Sequence, residues 1–98
     1  MKQNAELTVL LRGRAVASIE EEQTTVTVTF QDAWVMRIHA EAKIASGIEK
    51  FSKISQVLDE DSGMEIRFEG GGQLVLRLAN AGNSVSVRDA ANEVVYLG

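Results

Sequence analysis

Carboxylates carry most of the reactive chemistry open to this chain: fourteen Asp and Glu stand beside ten Lys and Arg, one His and no Cys. The tightest group is Asp59-Glu60-Asp61, followed by Ser62 and Gly63. Alternate acids ahead of a glycine suggest oxygen ligands for a hard cation. A calcium loop of the EF-hand type continues with glycine at its sixth position and glutamate at its twelfth. Counted from Asp59, those positions hold Met64 and Gly70; counted from Asp61, they hold Ile66 and Gly72. The pattern fails in both frames, and the simpler reading is a solvated acidic bend. A second acidic group, Glu20-Glu21-Glu22, lies earlier in the chain. If the fold brought both groups to one end, six acids would form a patch for a cation or a basic partner.

The other reactive types give less. Gly70-Gly71-Gly72 leads toward an alternating apolar stretch, whereas a phosphate loop leads from a strand into a helix N-terminus. Glycines there supply the positive φ that a tight hairpin needs. His39 is the sole histidine, so no histidine cluster can hold a metal, and no G-x-S-x-G elbow places a serine nucleophile. The absence of cysteine removes thiol nucleophiles, disulfides and zinc fingers. Trp34, the only tryptophan, belongs to a core face or to the wall of a small-ligand pocket. No catalytic residue, metal ligand set or cofactor follows. The binding candidates are Trp34, His39, Glu20, Glu21, Glu22, Asp59, Glu60 and Asp61.

Strand patterning must position these groups. Leu7, Val9 and Leu11 alternate, and Gly13 ends that stretch. Val26, Val28 and Phe30 alternate with threonines, whose β-branching suits a pleat. A turn at Gln31-Asp32-Ala33 leads to Trp34, Met36 and Ile38. Met64, Ile66 and Phe68 then alternate, the three glycines turn the chain, and Leu74, Leu76 and Leu78 return. NAGN at 80–83 is turn chemistry. Val85 and Val87 form a further strand, and a turn with positive φ at Asn92 returns the chain through EVVYL.

A shift of 38 residues lays Val16, Ile19, Val26, Val28 and Phe30 on Ile54, Val57, Met64, Ile66 and Phe68. Two additional residues in the second turn then bring Trp34, Met36 and Ile38 onto Leu74, Leu76 and Leu78. The expectation is a duplicated strand-plus-hairpin unit, over about 14–38 and 52–78, with a C-terminal hairpin at 84–98. Between the units, Ile44, Ile48, Phe51 and Leu58 recur at helical spacing. Gly47 and three serines oppose a helix. The expectation over 40–50 is irregular or helical structure, with a single helix around 40–55 open as an alternative that would make the domain α+β.

Ninety-eight residues, 45% hydrophobic and 24% charged, suit one packed domain. A net charge of −4 with dispersed Lys and Arg argues against nucleic acid and against an anionic membrane surface. No apolar run approaches the roughly 18 residues of a membrane helix. The stretch before Arg12 is too short for a signal peptide's apolar region of about 7–15 residues. The expected location is the cytoplasm.

The span 13–38, GRAVASIEEEQTTVTVTFQDAWVMRI, resembles small uncharacterised bacterial domains of the mobile-gene-cassette and immunity-like type. The span 51–78, FSKISQVLDEDSGMEIRFEGGGQLVLRL, resembles the middle strands of bacterial pleckstrin-homology-like domains. Those domains close their sheet with a C-terminal helix, whereas SVSVRDAANEVVYLG reads as a hairpin. Neither resemblance implies functional residues. The fold expected is mainly β, with six to eight antiparallel strands in a small barrel or two-layer sandwich. The function expected is a non-enzymatic binding or interaction domain. Its partner would be a second copy or another protein, or else a small ligand held near Trp34.

Overall fold

A computed structural model describes residues 2–80 and 82–98. Among these residues the chain is mainly β, with nine antiparallel strands in a curled half-barrel sheet and one short helix. In chain order these are β1 (Lys2–Gln3), α1 (Ala5–Leu11), β2 (Val16–Glu22), β3 (Thr25–Phe30), β4 (Val35–Ser46), β5 (Ile54–Asp59), β6 (Gly63–Phe68), β7 (Gln73–Leu78), β8 (Val85–Arg88) and β9 (Val94–Leu97). The strand order is β1-β5-β6-β7-β4-β3-β2, and β8 joins β4 to β9.

Alternation fixes which face is inside. Val26, Val28 and Phe30 of β3 are buried, as are Met36 and Ile38 of β4. Met64, Ile66, Phe68, Leu74 and Leu76 line the same core from β6 and β7. The sheet curls until the edge of β2 returns to the start of β5, where Ala15 and Lys53 form an antiparallel bridge. Val16 N–H donates to Ser52 O at 2.9 Å, and Ile54 N–H donates to Arg14 O at 3.1 Å.

The helix is not where residue spacing put it. Leu7, Val9 and Leu11 fit a strand by alternation, yet they lie in α1. Asn4 explains the difference. Its Oδ1 accepts from Leu7 N–H at 2.9 Å, an N-cap that starts a helix. Leu7 and Leu11 then fall one turn apart on the core side, while Val9 stays 80% exposed. Asn4 Nδ2 also donates to Asp59 Oδ2 at 3.0 Å and to the Tyr96 hydroxyl at 3.2 Å. Asn4→Ala is therefore expected to cost about 1–2 kcal/mol, with Asn4→Ser recovering the cap share. Thermal melting of the two variants measures the difference.

No helix forms around 40–55: residues 40–46 belong to a strand, and irregular structure, expected over 40–50, occupies 47–53. β4 runs twelve residues to Ser46. Its first part pairs with β3 on one side and β8 on the other, and from Ala40 onward it pairs with β7. A register shift between Ala40 and Ala42 re-aims it where β7 and β8 part. Hydrogen bonding to β7 outweighs the helical spacing, and Ile44 is left 70% exposed. The strand at Ile54 begins where its match to Val16 at a shift of 38 placed it. Asn92 has φ 66°, as its turn requires. Ala81 of the expected NAGN turn lies outside the described residues; Asn83 N–H donates to Asn80 O at 3.0 Å.

Hydrogen bonds recur 38 residues apart. Phe30 N–H reaches Trp34 O, and Phe68 N–H reaches Gly72 O. Ala40 N–H reaches Thr24 O, and Leu78 N–H reaches Ser62 O. Between the units the partners exchange roles: Gly13 N–H donates to Ile54 O, and Phe51 N–H donates to Val16 O. That reciprocity is a local two-fold through the Ala15–Lys53 bridge. The second turn has no additional residues. Val28 pairs with Met36 and Ile66 with Leu74, so the offset stays at 38 and Trp34 falls on Gly72, not Leu74. The reason is steric. A Cβ at Gly72 would lie 2.5 Å from Gly47 O, so an alternating apolar side chain has no room at that step.

Candidate functional site

The two acidic groups lie at the β2–β3 and β5–β6 hairpins and do not meet. β2 and β5 pass each other antiparallel at Ala15–Lys53, so they carry their far ends in opposite directions. Glu20, Glu21 and Glu22 are exposed at the β2 end, and Glu60 and Asp61 are exposed at the β5 end. Among the described residues, no three His, Asp or Glu side chains gather as metal ligands. The shared six-acid patch is replaced by two separate acidic ends.

Their surroundings differ. At the β5 end, Lys2 of β1 pairs in register with Asp59, and Gln3 pairs with Leu58. Asn4 N–H donates to Val57 O at 2.8 Å. Thr8 Oγ1 accepts from Val57 N–H at 3.0 Å and donates to Val57 O at 3.2 Å. The outer edge of β5 is thus covered by the chain's own N-terminal segment. At the β2 end no described residue gives such cover: among the described residues β2 pairs with β3 alone beyond the contact at Val16. The described ion pairs are Arg14–Asp32 and Arg67–Glu65; neither includes Glu20, Glu21 or Glu22. Between β2 and the far half of β4 lies an open slot, walled by Ser18 and Ile19 on one side and by Lys43, Ala45 and Ile48 on the other.

Trp34 is half-buried at the end of the β3–β4 turn and packs against the core. Arg14 lies with its guanidinium carbon 3.3 Å from the ring centroid. Three contacts hold that cation: the ring, the Asp32 carboxylate and the Leu10 carbonyl, to which Nε donates at 2.8 Å. The ring face that a ligand would stack on is occupied by Arg14. Such a contact is worth about 0.5–2 kcal/mol, depending on desolvation.

His39 is exposed, with Nδ1 3.4 Å from the Thr25 hydroxyl. Its backbone has the clearer role: N–H donates to Ser84 O at 2.8 Å, and its carbonyl accepts from Ala79 N–H at 3.0 Å. It stitches β4 to the connection between β7 and β8. The glycine turn adopts the backbone it was expected to supply, with φ 92° at Gly70 and 101° at Gly71. Alternation in 7–11 concealed Asn4 and Thr8; the visible signal for them was Asn-x-Glu-Leu followed by Leu11 one turn on.

No family model, curated protein or solved structure matches this chain. Among the described residues no helix is long and apolar enough to cross a membrane.

Proposed function

We propose that the protein is a non-enzymatic interaction domain that accepts an extended segment of another protein along β2. One observation carries this reading. The outer edge of β5 is sealed by the chain's own N-terminal segment, while the equivalent edge of β2 is open. An open edge is a row of unpaired N–H and C=O groups ready for strand addition. The 38-residue recurrence of hydrogen bonds supports reading the two units as copies of one strand-plus-hairpin, so what covers one edge indicates what the other can take. Pairing of β2 with a second copy of itself is opposed where it is parallel or centred on Glu21, because it would then bring Glu20, Glu21 and Glu22 of one chain against those of the other. The test is a chemical-shift titration of labelled protein with ten-residue peptides of alternating strand pattern. Amide shifts centred on Ile19 and Glu21 support the reading; no β2 shift with any peptide overturns it.

Self-association has separate support at β9, which pairs with β8 only. Gly98 exchanges hydrogen bonds with Val85 at 2.9 and 3.0 Å, so Leu97, one residue earlier, turns its N–H and C=O outward. Leu97 is 73% exposed, and no charged residue lies within Val94–Leu97. The contact is small beside the roughly 1,200–2,000 Å² of a specific interface, so association belongs to high protein concentration. Leu97→Lys, a charge on an apolar edge, is expected to abolish any dimer seen by light scattering without lowering the melting temperature. A dimer unchanged by Leu97→Lys would remove β9 from consideration.

A further inference from the structure

We infer that the segment accepted by β2 is basic at its N-terminal end and pairs antiparallel with Ile19, Glu20 and Glu21; this rests on the strand-addition reading above. The protein contains its own precedent. Val57 turns its backbone outward from β6, to Asn4 and Thr8. Ile19 lies 38 residues earlier and pairs with Val28, as Val57 pairs with Ile66. Its N–H and C=O therefore face outward from β3. Glu21 stands where Asp59 stands, and Asp59 has Lys2 across from it. A lysine or arginine of an incoming strand meets Glu21 in the same way.

Charge sets both composition and direction. Glu20, Glu21 and Glu22 are exposed. Their cross-strand neighbours Thr27, Val26 and Thr25 are uncharged. An extended strand laid here brings cations within reach of carboxylates that have no ion-pair partner among the described residues. The other end of the slot carries Lys43 of β4 and, in the loop that follows, Lys50 beside Glu49, all near Ala17 and Ser18. The slot is thus strongly acidic at the hairpin and of mixed charge near Val16. A segment entering antiparallel places its first residues at the acidic end, as Lys2 does beside Asp59, and leaves past Val16 with no such demand for basic residues.

Three blocked ten-residue peptides test this on the full chain: alternating lysine–valine, alternating threonine–valine and alternating glutamate–valine. Each is titrated into labelled protein, and into the variant carrying Glu20→Gln, Glu21→Gln and Glu22→Gln. The exposed positions of these acids leave the fold intact, which an unchanged amide spectrum away from β2 verifies. The expected result is binding at Ile19 and Glu21 by the lysine peptide, at least about tenfold tighter than by the threonine peptide, with the preference lost in the variant and weakened by salt. Equal binding of all three peptides overturns the basic-segment inference and leaves strand addition standing. Binding of none overturns both. Lysine-peptide shifts on Glu60 and Asp61 instead of β2 also overturn it, since they mark charge without an edge.

Discussion

Thr8→Val lowers the stability of this protein by roughly 2–4 kcal/mol, because a buried backbone N–H loses its only partner. Thr8 is 1% exposed, and its hydroxyl both accepts from Val57 N–H and donates to Val57 O. Valine has nearly the same shape but no hydroxyl. The carbonyl keeps Asn4 N–H as a donor, at 2.8 Å, so the amide bears the cost. For a domain of this size the melting temperature falls by at least about 8 °C. Thr8→Ser keeps both hydrogen bonds and removes one methyl, a loss of about 1 kcal/mol. Equal melting temperatures for the two variants would show that packing, not the hydroxyl, holds α1 to β5.

Gly72→Ala is the second large effect, and its cause is backbone against backbone. The added Cβ would sit 2.5 Å from Gly47 O, 2.9 Å from Gly47 C and 3.1 Å from Ile48 N. No side chain can rotate away to relieve this contact. The start of β7 must separate from the end of β4, at a cost of about 1–3 kcal/mol. Gln73→Ala, at the exposed neighbouring position, stays within about 0.5 kcal/mol of the parent. Urea unfolding of both variants gives the comparison. A neutral Gly72→Ala would mean that the two turns approach less closely than this geometry states.

These two positions also mark where residue patterns guided the reading and where they misled it. The alternation of Val26, Val28 and Phe30, and of Met64, Ile66 and Phe68, led directly to β3 and β6, because one face of each is buried. Alternation, however, has a period of two and cannot register a one-step steric exclusion, so Leu74 was matched to Trp34 when Gly72 holds that place. In 7–11, apolar residues fit both periods, and a single cap at Asn4 decided for helix. Over 44–58 helical spacing is present, but for 40–46 β7 supplies a strand partner that local sequence does not reveal. The acidic groups were found as groups. Their separation followed only from the antiparallel bridge, a contact between residues 38 apart. Trp34 was found as well, but the cation covering it comes from Arg14, on the far side of β2 and β3 in sequence.

The attachment of α1 to β5 has a consequence for the order of assembly. Each three-stranded unit is built from hairpins whose partners are close in sequence, such as Met64 with Leu76 and Val26 with Ile38. Thr8 and Val57 lie 49 residues apart, and closing that loop costs entropy that no contact offsets until both units exist. The units should therefore form early and the helix should dock late. Substitutions at Thr8 would then speed unfolding while leaving the folding rate nearly unchanged. A protein built this way exposes the edge of β5 briefly during folding, until β1 and α1 close over it.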